Sequence, residues 1–119
     1  FTGLDPVSRR ELIRILNDLN KEKGITSIMT LHEVDIVSEV TDVLYLMHGH
    51  GDLSERGTPE EIFGRFKDLE LFNLEEPTLT RLFKGLKREG LDFGGPLRVD
   101  EAVQSIKSHC EAIKNNKTR

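Results

Sequence analysis

The sequence predicts an α/β chain that becomes all-helical in its second half, on three observations. Ile25 to Leu31 and Val43 to Met47 are short apolar runs rich in β-branched residues, the composition of buried strands. Each follows a segment of helical periodicity, and helices alternating with apolar strands indicate a parallel sheet. Beyond about Phe66 strand-like runs cease and only helical stripes remain.

The first helix is expected from Ser8. Ser8-Arg9-Arg10-Glu11 has the form of a capping box, Leu12, Ile15, Leu16 and Leu19 recur at helical spacing, and Ile13 widens the stripe until Gly24 stops it. Ile25 to Leu31 then reads as the first buried strand, with His32 at its carboxyl end. Glu33 to Thr41 carries Val34, Val37 and Val40 at intervals of three with Ile36 alongside, which predicts a second helix, and the second strand follows over 43–47. Gly49, Gly51 and Asp52 supply turn chemistry before Leu53-Ser54-Glu55-Arg56, so the third strand is expected to return antiparallel as a hairpin. Gly57-Thr58-Pro59-Glu60-Glu61 starts a helix well. Thr58 can cap it, Pro59 suits the first helical position, and the two carboxylates complement the dipole.

In the helical half, Leu79, Leu82, Phe83 and Leu86 mark one amphipathic helix between Pro77-Thr78 and Gly90. A Gly-rich connection, Phe93-Gly94-Gly95-Pro96, leads to another, with Val99, Ala102, Val103, Ile106, Cys110 and Ile113 along one face. Such stripes are most simply core or helix-packing surface, and Asn115 to Arg119 reads as a frayed polar tail.

Composition narrows the function. The 119 residues are 36% hydrophobic and 32% charged, the balance of a globular domain or part of one. A net charge of −4 with both signs interspersed argues against a nucleic-acid partner. No apolar run approaches the roughly 18 residues of a membrane span, so membrane association would come through another subunit. Cys110 stands alone, without an internal disulfide partner, which fits a reducing cytosol.

Thr2-Gly3-Leu4-Asp5-Pro6, a helix, Ile25-Thr26-Ser27-Ile28-Met29-Thr30-Leu31-His32, Asp42-Val43-Leu44-Tyr45-Leu46-Met47 and Gly57-Thr58-Pro59-Glu60-Glu61-Ile62 follow one another in a telling order. In order, spacing and residue type this series resembles the C-terminal half of an ABC transporter ATPase subunit, over roughly residues 2–66. Leu74-Glu75-Glu76-Pro77 and Val99-Asp100-Glu101-Ala102-Val103 look more specifically like the appended region of the cobalt/nickel energy-coupling factor ATPases. The resemblance implies part of a P-loop NTPase fold, with a short, mostly parallel sheet and closing hairpin in residues 1–66 and a helical accessory region in 67–119. It also implies that the full-length protein hydrolyses ATP with magnesium to drive import, with cobalt or nickel ions as the expected cargo. The implied partners are a second ATPase subunit, identical or not, and transmembrane transporter subunits. The implied location is the cytoplasm, on the inner face of the cell membrane.

The same resemblance makes Asp5 the D-loop residue that couples two ATP sites and His32 the switch histidine that contacts the nucleotide. Both are therefore taken as catalytic candidates and His32 as the cofactor-binding one. Each role is chemically reasonable: an imidazole at a strand end can exchange hydrogen bonds with a γ-phosphate oxygen or the attacking water, and a carboxylate in the turn before a helix can hold backbone N–H groups. Phosphoryl transfer depends mostly on positioning and charge stabilisation, so a histidine can control the rate without being a nucleophile.

Other parts of such a site are missing from the sequence. It has no G-x-x-x-x-G-K-[ST], no apolar run ending in Asp-Glu, and no Leu-Ser-Gly-Gly. This chain alone is expected neither to bind ATP tightly nor to hydrolyse it. Only Phe1-Thr2 precede the Gly-Leu-Asp-Pro block, which reads as a cut through a longer domain with the catalytic glutamate upstream. Exposed apolar faces and an open sheet edge would follow, and with them self-association as a dimer or larger assembly. The alternative is a non-catalytic dimerisation or regulatory module in which residues 67–119 do the work.

The remaining polar clusters have plainer readings. His48, His50 and Asp52 could gather a metal from one strand face, but a solvated turn is the default and no metal site is expected. His109 and Cys110 are adjacent on a helix and face different ways. Glu60-Glu61 and Glu75-Glu76 suit helix starts and solvated faces.

Overall fold

The computed structural model describes residues 1–65 and 68–117. The first helix, α1 (Pro6–Lys21), begins earlier than the Ser8 box suggests. Pro6 loses nothing at a position whose N–H would be unpaired anyway, and Asp5 is the N-cap. The expected capping box does not form, because Asp5 already holds the N–H of Ser8 and accepts the Ser8 hydroxyl as well, while Glu11 pairs with Arg14 at 2.5 Å. Gly24 ends the helical run with a φ of 65°, a conformation costly for other residues. The Ile25 N–H then folds back to the Leu19 carbonyl at 3.0 Å, and Asn20 Nδ2 donates to the Ile25 carbonyl at 3.0 Å.

The strand expected over 25–31 is absent. This stretch has no regular secondary structure, and Ile28 is 97% exposed. A strand is defined by a neighbour that takes its N–H and C=O groups, and the two strands among the described residues pair with each other instead. The expected mostly parallel sheet is therefore replaced by one antiparallel hairpin.

A 3-10 turn, Val34–Ile36, and a single α-turn, α2 (Val37–Val40), replace the continuous helix expected over 33–41. Val34, Ile36, Val37 and Val40 are stiff, modest helix formers, and neither Glu33 nor Ile36 gives a side-chain cap. The segment is held by tertiary contacts: Ile36, Val37 and Ser38 are all buried.

The hairpin expectation holds. β1 (Leu44–Met47) pairs antiparallel with β2 (Leu53–Gly57), Leu44 opposite Gly57 and Leu46 opposite Glu55, with an irregularity between Leu46 and Met47. The turn closes through His48 N–H to the Asp52 carbonyl at 2.9 Å and Gly51 N–H to the His48 carbonyl at 2.8 Å, Gly51 taking a φ of 87°. Arg56 Nε donates to the Tyr45 hydroxyl across the strands at 3.1 Å.

Next, α3 (Pro59–Arg65) starts as expected, with a reciprocal capping box: Glu61 N–H donates to Thr58 Oγ1 at 3.2 Å and Thr58 N–H to Glu61 Oε2 at 3.0 Å. The boundary expected between 66 and 67 lies outside the described residues. A 3-10 turn (Leu69–Phe72), α4 (Thr78–Arg88) and α5 (Val99–Lys117) follow. The tail expected to fray from Asn115 is helical as far as Lys117.

One core joins both halves. Val37, Leu46, Ile62, Phe63, Leu69, Phe72 and Leu97 are buried together, with Leu31, Val34, Leu44 and Leu74 packed around them. The α5 stripe does not reach it: Ala102 is buried, while Val99, Val103, Ile106 and Ile113 are exposed. The radius of gyration is 17.0 Å, against about 13–14 Å for a compact chain of this length. An open chain of this kind leaves apolar surface for something else to cover. Among the described residues, no helix is long and apolar enough to cross a membrane.

Candidate functional site

Asp5 is placed by the turn that leads into α1. With φ −67° and ψ 161° it stands just outside the helix, and its Oδ1 accepts the N–H groups of Val7 at 2.9 Å and Ser8 at 3.0 Å. Its Oδ2 accepts the Ser8 hydroxyl at 2.6 Å. These bonds answer two of the N–H groups that any helix leaves unpaired at its start. The Ser8 hydroxyl, then the Ser8 N–H, favour the ionised form and hold the carboxyl below its ordinary value of 3.8.

This shift has a sign. A carboxylate depressed by folding adds stability above its unfolded pKa, and that contribution disappears as pH falls through the lower folded value. Helicity of α1 is therefore expected to fall on acidification below about pH 4, the range set by the ordinary carboxylate pKa. Asp5→Asn keeps a cap but removes the charge, so it should flatten the acid limb. Some of that limb persists, because Arg14 holds the Glu11 carboxyl down with the same sign. Circular dichroism against pH measures both, and an unchanged acid limb in Asp5→Asn would exclude this role for Asp5.

His32 occupies a bend between the irregular 25–31 stretch and the Val34–Ile36 turn, not the end of a buried strand. It is exposed, and its imidazole has no hydrogen-bond partner among the described residues. No bond joins it to Asp5; their neighbours join the two segments. Arg9, one turn into α1, pairs with Glu33 at 2.7 Å, and the Thr2 hydroxyl donates to Glu33 Oε1 at 3.5 Å. Both charged side chains are about a third exposed, so the pair contributes on the order of 0–1 kcal/mol. Its consequence is geometric: it holds the loop before α1 against the bend carrying His32. Sequence reading missed Arg9 and Glu33, although their places beside the two candidate residues were a usable signal.

The His48, His50 and Asp52 set behaves as a turn. The backbone of His48 and Asp52 closes the hairpin, and the His48 ring stacks on Phe72 with centroids 4.5 Å apart. His109 packs against Phe93 at 4.7 Å, away from any partnership with the exposed Cys110. Among the described residues no three His, Cys, Asp or Glu side chains converge as a metal site, and the Asp5 carboxylate is committed to α1. Asp5 and His32 thus do not by themselves fit a magnesium site.

No protein-family model matches the chain. Its relatives are ATP-binding proteins of ABC and energy-coupling factor transporters. The chain is 34% identical over 104 residues, 87% of its length, to a protein of Methanosarcina mazei named as an ABC transporter ATP-binding protein, of which it covers 32%. It is 36% identical over 104 residues to an energy-coupling factor transporter ATP-binding protein of Caldanaerobacter subterraneus, matching 87% of this chain and 37% of that one. With the energy-coupling factor transporter ATP-binding protein of Methanocaldococcus jannaschii it shares 37% over 110 residues, 92% of this chain and 39% of the relative. The chain therefore spans about a third of the length of the curated relatives it matches, from 32% to 39%.

Proposed function

We propose that this chain supplies the downstream part of the ATP-binding subunit of an energy-coupling factor type ABC importer, with Asp5 as its D-loop carboxylate and His32 as its switch histidine. The observation that carries this reading is the pairing of Arg9 with Glu33, which brings the two motif segments together as one unit. The exposure of His32, and an imidazole without a hydrogen-bond partner among the described residues, suit a residue whose partner arrives with a nucleotide. Magnesium and most phosphate contacts then belong to residues other than these two. Asp5 fixes the start of α1 and orders the loop that would face a second ATPase subunit, identical or different. His32 would exchange a hydrogen bond with the terminal phosphate or the attacking water. The whole assembly would hydrolyse ATP at the inner face of the cell membrane, docked on transmembrane subunits. Cobalt or nickel as the cargo rests on the resemblance of residues 74–77 and 99–103.

Isothermal titration with Mg-ATP tests the reading on two proteins: this chain, and the chain joined to the upstream two thirds of one of its relatives. Tight binding is expected only of the joined protein. Tight binding by the 119-residue chain, or none by a folded joined protein, contradicts it. The cargo is tested separately, by uptake of radioactive cobalt and nickel into cells carrying the complete transporter.

A second reading is favoured by the exposed stripe Val99, Val103, Ile106 and Ile113 on α5. These residues form an apolar seam on a helix otherwise rich in charge, the surface a self-associating module would use. Sedimentation of the chain at rising concentration should show dimers or larger species. Deleting 99–119 without changing that behaviour would remove the basis for this reading.

A further inference from the structure

Four of the seven residues that follow His32 are held by side-chain bonds from elsewhere in the chain, among them Thr78 at the start of α4 and Arg98 just before α5. At Glu33 the brace is Arg9 with Thr2. The Asp35 carboxylate takes both groups of Thr78, the N–H at 2.6 Å and the hydroxyl at 2.9 Å. Thr78 opens α4, whose own N-cap, Pro77, makes no side-chain bond to the helix, so a carboxylate 43 residues away does what a local cap would do.

The α2 turn is too short to satisfy its own carbonyls. The Ser38 carbonyl accepts Arg98 Nη2 at 2.6 Å and Nε at 3.2 Å, the fork of a guanidinium closing on one oxygen. The buried Ser38 hydroxyl donates to the Leu97 carbonyl at 3.3 Å, and Asn17 Nδ2 reaches the Glu39 carbonyl at 3.0 Å. Leu97 is itself part of the core and leads directly into α5. His32 has no side-chain partner of its own among the described residues, so its place is set by the backbone on which these braces act.

We infer that Asp35 and Arg98 are positioning residues for His32, through which the packing of α4 and α5 sets where the histidine stands. This rests on the reading of His32 as the switch histidine. Asp35 and Arg98 each act through the 33–39 backbone, so a change in the C-terminal helices, such as a partner binding them, alters the hydrolytic step without altering the nucleotide pocket.

The test uses Asp35→Asn, Arg98→Gln and the milder Arg98→Lys, which keeps the charge but cannot form both bonds. Lys107→Gln, on the exposed side of α5, is the control. In the 119-residue chain, the His32 imidazole signals should move, and amide protection over residues 34–38 should fall about tenfold or more relative to that of the β1–β2 hairpin. Arg98→Lys should lie between wild type and Arg98→Gln. Unmoved His32 signals in folded variants, or a uniform loss of protection that includes the hairpin, would overturn the inference, the second by reducing both residues to general stability. In the joined protein, Asp35→Asn and Arg98→Gln should lower kcat several-fold at unchanged ATP affinity, and an unchanged kcat would likewise overturn it. If His32→Ala leaves hydrolysis intact while the imidazole signals do move in the variants, the switch assignment fails and the mechanical coupling stands.

Discussion

Phe63→Ala is expected to lower the stability of the chain by about 3–5 kcal/mol, the cost of deleting a buried aromatic ring and leaving its cavity. Phe63 is 2% exposed and sits where α2, β1, α3 and the Leu69–Phe72 turn meet. Domains of this size hold only about 5–15 kcal/mol in total, and an open chain with exposed apolar faces belongs near the lower end. Urea denaturation followed by circular dichroism should therefore show the midpoint falling by roughly a third or more, since the midpoint is stability divided by a slope that one substitution leaves nearly constant. A loss below about 1 kcal/mol would mean that this cluster is not the core of the chain.

Leu97→Ala tests how that core is shared and should cost about 2–5 kcal/mol. Leu97 leads into α5 yet is buried with Val37, Leu46 and Phe63. The chain has one tyrosine, Tyr45 on β1, and no tryptophan, so tyrosine fluorescence reports the hairpin while far-ultraviolet dichroism reports mainly the helices. With one shared core both signals should fall together in the wild type, and Leu97→Ala should move both midpoints to lower urea by the same amount. Two separate transitions, with the hairpin midpoint unmoved, would show that the C-terminal helices fold independently of the α/β part.

What could be read from sequence was local chemistry. Thr58-Pro59 with Glu61 starts α3 through contacts within four residues, and the Gly51 turn closes its hairpin within five. Asp5 before Pro6 was legible for the same reason, and only its competition with the Ser8 box was misjudged. The run Ile25 to Leu31 shows the limit. Its composition is that of a strand, but a strand requires a partner, and composition does not provide one. The braces on the 33–39 segment were beyond reach: Asp35 meets Thr78 across 43 residues and Arg98 meets Ser38 across 60, and neither pair is marked by any spacing. For the candidate site, the identities of Asp5 and His32 came from motif order, while their linkage through Arg9 and Glu33 emerged only from the folded chain.

The switch role of His32 is the central claim, and steady-state hydrolysis by the joined protein tests it most directly. With ATP binding matched by titration, His32→Ala should hydrolyse at least about a hundredfold more slowly than its parent, the range lost when a positioned proton-exchanging group is removed. Equal rates at equal binding would contradict the assignment.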